Sequence, residues 1–250
     1  MFDAQCVSEI AIVAKELGIQ PEALQAVAEV ESAGRIFAEV AGRREPLIRF
    51  EGHYFDRLLG ARQRQMARQN GLAHPSAGKI RNSRSQQKRW NLLHRAIAIN
   101  RIAALSSVSW GLGQVMGAHW QWLGYASVDA LVAEARSGAA GQVRLMARYI
   151  DKAGLIPTIN SEDWTTFART YNGPGFARYA YDKKIAAAYQ NLKNQSAQPE
   201  TSMLQDGENT FVGKEEDSNS GWIRAIALSA GTKFRKAIRT GLLLISKRIL

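Results

Sequence analysis

Cysteine is all but missing from this sequence. Cys6 stands alone among 250 residues, so no disulfide can form within the chain, and no Cys/His cluster offers a metal site. The four histidines, His53, His74, His94 and His119, are scattered. Neither a metal nor another cofactor is expected. The N-terminal "MFDAQCVSEI" lacks the basic region and apolar stretch of a secretory signal, which predicts synthesis in the cytoplasm and a separate exit route for any work outside it. Acidic residues are also missing over a long interval. None occurs from Arg57 to Val128, while Arg and Lys recur there and cluster in "KIRNSRSQQKR".

The whole chain carries 33 Lys+Arg against 22 Asp+Glu, a formal charge of +11 and a pI of about 10.0. Such a balance favours polyanionic partners, or simply gives a solvated basic surface. Strand-like sequence is scarce. Only "RIFAEVAGRREPLIRFEG", residues 35 to 52, reads as two short β pieces around Gly42 and Pro46, a hairpin. The rest of the chain to residue 192 has a helical period. Val7, Ile10, Ala14 and Leu17 form one stripe that Gly18 closes. Pro21 then opens a second helix, in which Leu24, Val27, Ala28 and Glu31 share a face. The fold class is therefore mainly α with a small hairpin after the second helix.

Composition changes at residue 193. Residues 193–220 are polar and poor in periodic apolar residues, the make-up of a linker. Residues 221–250 carry seven cations and no acid, with Ile223, Ile226, Ala230, Phe234, Ile238, Leu242, Ile245 and Ile249 spaced by three or four. The apolar runs are too short and too interrupted to span a bilayer. A cationic amphipathic helix with a tryptophan at one end reads as a binder of an anionic membrane or lipopolysaccharide surface. Trp222, Arg224, Lys233, Arg235, Lys236 and Arg239 are its expected contacts. Docking back onto the first 192 residues is the other reading.

Three segments far apart look unlike ordinary core. In "AVAEVESAG", residues 26–34, Glu29 and Glu31 cannot share a helix face. Glu31 lies on the apolar side in the last turn before Gly34, where desolvation and the helix dipole both disfavour a negative charge. A general acid needs such a raised pKa. In "SWGLGQVMG", residues 109–117, glycines flank Leu112 and allow close backbone approach, Gln114 offers a donor and an acceptor, and Trp110, Trp120 and Trp122 lie nearby. "YNGPG", residues 171–175, has the chemistry of a tight turn.

Taken in order, Glu-Ser at a helix end, Gly-Leu-Gly-Gln-Val-Met and Tyr-Asn-Gly resemble the lysozyme-like superfamily of goose-type lysozymes and soluble lytic transglycosylases. More closely, "LQAVAEVESAG", "SWGLGQVMG", "WTTFARTYNGPG" and "YDKKIAAAY" resemble the N-acetylmuramidase domain of phage and prophage endolysins. The resemblance spans about residues 7 to 192. It implies a lysozyme-like, two-lobed, mainly α fold with the hairpin near the active site, and a cleft for peptidoglycan glycan strands. It places Glu31 at the catalytic acid, and Ser32, Gly113, Gln114, Met116, Tyr171 and Asn172 along the cleft. Glu51, in "RFEGHYF", is the candidate second carboxylate. Gly52 follows it where the family pattern has a basic residue, and Asn100 stands where that pattern has an aspartate.

The resemblance implies cleavage of the β-1,4 bond between N-acetylmuramic acid and N-acetylglucosamine, and the protein is expected to act as a monomer. Holin-type release or a dedicated secretion system would bring it to the periplasm and cell wall, as an endolysin or a secreted antibacterial effector. A lytic transglycosylase that leaves 1,6-anhydromuramoyl ends is the alternative reaction. A non-catalytic glycan binder, or a basic nucleic-acid binder, is the alternative class. No nucleic-acid-binding module is recognisable, so nucleic acid is not the expected partner.

Overall fold

The computed structural model describes residues 2–197. Most of the expected linker and all of the expected amphipathic helix, including Trp222, Arg224, Lys233, Arg235, Lys236 and Arg239, lie outside the described residues.

Asp3 caps the first helix, α1 (Ala4–Leu17), by accepting from the Cys6 amide at 2.8 Å, and Gly18 ends it in the left-handed region. Pro21 starts α2 (Pro21–Ser32). Its small residues Ala23, Ala26 and Ala28, together with Leu24 and Val27, are buried and let α1 pack closely on it. The helix stops one residue before the Gly34 expected from sequence, at Ala33, whose φ of 52° is left-handed and whose amide caps the Glu29 carbonyl. A side-chain-bearing residue in that region is strained, and it sits two residues after Glu31.

The expected hairpin forms. β1 (Phe37–Val40) pairs antiparallel with β2 (Arg43–Pro46) in the register Val40↔Arg43, turning through Ala41 and Gly42, both at positive φ. A second sheet was not legible. β3 (Ile48–Phe50), β4 (Val108–Trp110) and β5 (Val115–Met116) form a three-stranded antiparallel sheet in that order, so "SWGLGQVM" is a hairpin and not only a glycine-rich turn. Its strands are two or three residues long, too short to show a period of two.

The helices α3 (Gly52–Leu58), α4 (Ala61–Gln69), α5 (Gln86–Ile97), α6 (Arg101–Ser106) and α7 (Val128–Arg136) surround this sheet and share one core with it, centred on Phe50, Phe55, Trp90, Leu93 and Trp110. Another core, the first in chain order, joins α1 and α2 to α8 (Ala139–Lys152), α9 (Ile156–Asn160), α10 (Trp164–Asn172) and α11 (Tyr181–Ser196), which makes the sheet-centred core the second. These cores are the two lobes. α8 joins them: Val143, Met146, Ala147 and Ile150 face the first lobe and Leu145 the second. α11 packs along α2 and continues to Ser196, so residues 193–196 are helix where linker was expected.

Candidate active site

Glu31 lies in the last turn of α2, facing the end of α10. Its neighbours Leu24, Val27 and Ala28 are buried in the first core, and burial raises its pKa from an ordinary 4.5 to about 7. One hydrogen bond opposes that shift. Asn172 Nδ2 donates to Glu31 Oε1 at 2.5 Å, which favours the carboxylate. Asn172 is the last residue of α10, so this contact ties the end of α10 to the end of α2 across 141 residues of chain. Glu29, two positions earlier, accepts from Gln25 one helical turn back and belongs to another face.

The neighbouring Tyr171 is fixed by two kinds of contact. Its hydroxyl donates to the Gly113 carbonyl at 2.6 Å, and its ring stacks on Phe167 at 5.2 Å. Burial and the nearby Glu31 hold its pKa well above the ordinary phenol value, so it remains a neutral donor. Gly113 belongs to the β4–β5 turn, which is wedged between the lobes. Leu112 enters the first core, and its amide donates to Gln142 Oε1 of α8 at 2.9 Å. A Cβ on Gly113 would stand 2.6 Å from Met146 Cβ, so only glycine fits that approach. Gln114 has a left-handed φ of 47°, and its amide Nε2 donates to the Gly111 carbonyl at 2.7 Å to hold the turn. Met116 Sδ accepts from the Ser109 hydroxyl.

Ser32 is placed differently from its neighbours. It is 4% exposed, and its hydroxyl donates to the Ala28 carbonyl at 2.7 Å, so it closes the helix end and does not face the cleft.

Glu51 follows β3 at the start of α3. Arg49 Nε lies 2.7 Å from one carboxylate oxygen and His53 Nδ1 lies 3.4 Å from the other. Burial and the nearby Glu31 raise the pKa of Tyr181 of α11, and Arg49 opposes that shift. Glu31 owes its shift to burial and Asn172, with no contribution from a second carboxylate. The departures at Gly52 and Asn100 have local reasons. A Cβ on Gly52 would stand 2.3 Å from Ile80 Cγ1, and the Asn100 side chain caps α6 by accepting from the Ala103 amide at 2.9 Å.

Sequence reasoning missed Tyr149, Tyr181 and His119. Tyr149 of α8 meets Tyr171 edge-on at 5.2 Å and lies near Tyr54 of α3. Tyr149 and His119 carried no signal beyond their aromatic identity, and Tyr181 stood in "YDKKIAAAY" without being singled out. Trp110, by contrast, is core: it is buried against Trp90, and its indole N–H donates to the Leu105 carbonyl.

The site is thus a partly buried acid with one amide donor and a fixed phenol beside it, while the ion-paired Glu51 stands at the start of α3. Comparison with known proteins agrees with it. The family model described as Muramidase, N-acetylmuramidase, matches residues 20–193. The crystal structure of Burkholderia AP3 phage endolysin is similar at a TM-score of 0.65 and 28% identity, over 75% of this chain and 71% of that one. No curated protein sequence matches at a significant level. A match over more than half the chain, on a fold that brings Glu31, Tyr171 and Asn172 together, shows that the chain belongs to the N-acetylmuramidase family, whose members are peptidoglycan-cleaving glycoside hydrolases.

Proposed function

We propose that Glu31 is the general acid that protonates the leaving oxygen of the β-1,4 bond between N-acetylmuramic acid and N-acetylglucosamine. The observation that carries this reading is the placement of Glu31 at the end of α2, beside the first core and held by Asn172, where burial raises its pKa to about 7. Below that pH the carboxyl holds its proton, and it delivers the proton as the C1–O bond breaks and positive charge develops at C1. Asn172 orients the carboxyl, and Tyr171 fixes the turn that carries Gln114 and Met116 against the glycan strand.

Glu51 is the proposed holder of the attacking water. Two carboxyls ~5 Å apart, as a nucleophile requires, would be strongly coupled in their titration. No carboxylate contributes to the shift at Glu31, which speaks against a second carboxyl ~5 Å away and so against a retaining nucleophile. Mass spectrometry of the muropeptides released from purified peptidoglycan tests the reaction. Hydrolysis predicts reducing N-acetylmuramic acid ends. Anhydro ends would replace it with the transglycosylase reading, and no soluble product would reduce the protein to a binder.

Asn172→Ala removes the one contact that lowers the Glu31 pKa. The alkaline limb of kcat/KM on peptidoglycan is therefore expected to move to higher pH, with a lower maximum from poorer orientation. An unmoved limb would show that Asn172 does not act through Glu31.

The endolysin role extends the same reading to residues 221–250, whose composition supports contact with an anionic membrane or lipopolysaccharide surface. Deleting them is expected to leave activity on bare peptidoglycan unchanged while lowering lysis of intact Gram-negative cells treated from outside. Equal external lysis by both forms would discard that role.

A further inference from the structure

The cleft residues above leave one aromatic group unexplained. After β5, a 3-10 turn (Gly117–His119) leads into a tight loop to Tyr125. The loop is well anchored: the Leu123 amide bonds to the His119 carbonyl and the Tyr125 amide to the Trp120 carbonyl, both at 2.9 Å. Leu123 enters the second core, Trp120 packs against it, and Arg148 of α8 lies over the Tyr125 ring. This leaves Trp122 standing out. It is 40% exposed, although two rings hold it, His119 at 5.7 Å and Tyr149 at 5.6 Å, both near edge-on. His119 and Tyr149 also touch each other at 5.5 Å, so the three rings brace one another.

Tyr149 connects this cluster to the catalytic candidate. Its ring meets Tyr171 at 5.2 Å, and Tyr171 adjoins Asn172 and senses Glu31. Two edge-on ring contacts, of 5.2 and 5.6 Å, thus link Tyr171 through Tyr149 to Trp122. A core tryptophan would be covered, as Trp90 and Trp110 are in the second core. A tryptophan braced on a rigid loop with its surface open is instead pre-organised to receive a flat apolar face. Pyranose rings have such a face, lined by C–H groups that suit the negative face of an indole. Burial also lowers the His119 pKa, so its imidazole stays neutral, able to donate to and accept from sugar hydroxyls.

We propose that Trp122, braced by His119 and Tyr149, is a sugar-stacking subsite that holds the glycan strand on the side of the cleft that Tyr149 connects to Tyr171. The proposal rests on the glycan-strand reading of the cleft, but it concerns affinity and not bond cleavage.

The test compares Trp122→Ala and Trp122→Phe on uncross-linked glycan strands of alternating N-acetylglucosamine and N-acetylmuramic acid. Trp122→Ala is expected to raise KM roughly tenfold, the equivalent of one lost aromatic contact, with kcat nearly unchanged. Trp122→Phe should recover most of the loss. In a Glu31→Gln background, calorimetry should show the same roughly tenfold rise in Kd for the strands, a readout that does not need turnover. Unchanged KM and Kd in Trp122→Ala would overturn the subsite, as would a fall in kcat at constant KM. If the wild type proved unable to cleave the strands, the hydrolase reading would fall, and the calorimetric comparison would still decide the subsite.

Discussion

Glu31→Gln is expected to lower glycan-strand cleavage by about a thousandfold while making the protein more stable above neutral pH. The first effect follows from removal of the proposed general acid, a role worth roughly 10²–10⁴ in rate. The second follows from the sign of the pKa shift. The folded value of about 7 lies above the ordinary 4.5, so the stability associated with protonated Glu31 is fully present below about pH 4.5 and lost as pH rises through 7. At pH 8 the buried carboxylate costs about 3 kcal/mol relative to an unshifted one. Glutamine carries no charge and can still accept from Asn172, so it avoids that cost. Thermal melts should coincide at pH 4 and separate by several degrees at pH 8, with the variant higher. Coincident melts at both pH values would mean that Glu31 is not held in a desolvated position.

Gly113→Ala is the second large effect expected, and it acts through packing. The new methyl would stand 2.6 Å from Met146 Cβ, 2.7 Å from Met146 Cγ and 3.1 Å from the Tyr171 hydroxyl. The turn cannot simply retreat, because Leu112 is buried in the first core and its amide is bound to Gln142. Helix α8 cannot retreat either, since both lobes pack on it. Overpacking of this kind is expected to cost about 3 kcal/mol. Displacing the turn also breaks the Tyr171 contact to the Gly113 carbonyl, so activity should fall with stability. Gly175→Ala is the control: its φ is −79° and a methyl there meets nothing within 4 Å. Equal melting temperatures for the two variants would show that the close approach at Gly113 does not matter.

Much of this could be read from residues alone, for identifiable reasons. Helix period and terminal residues located α1 and α2, because Gly18 and Pro21 are strong local signals. The β1–β2 hairpin was legible from Gly42 between two β-prone pieces. Glu31 stood out because an acid on an apolar helix face is costly wherever it occurs. The β3–β4–β5 sheet was hidden, since β3 and β4 are joined by 57 intervening residues and each strand is too short for a pattern. Ser32 resembled a ligand-facing residue by motif, yet its hydroxyl satisfies the helix end, a choice made by geometry. Tyr149 and Tyr181 could not be found because their roles depend on which lobe α8 and α11 present to the cleft. The orphaned tryptophans sorted themselves only in three dimensions, with Trp110 in the core and Trp122 at the surface.

The central claim is that burial holds a proton on Glu31 near neutral pH, and it is measured most directly by titrating that carboxyl. A 13C NMR titration of protein labelled at the glutamate side-chain carboxyls, with the resonance assigned by its loss in Glu31→Gln, should give a midpoint near 7. A midpoint near the ordinary 4.5 would contradict the account, because Glu31 would then be a carboxylate at the pH where the acid is needed.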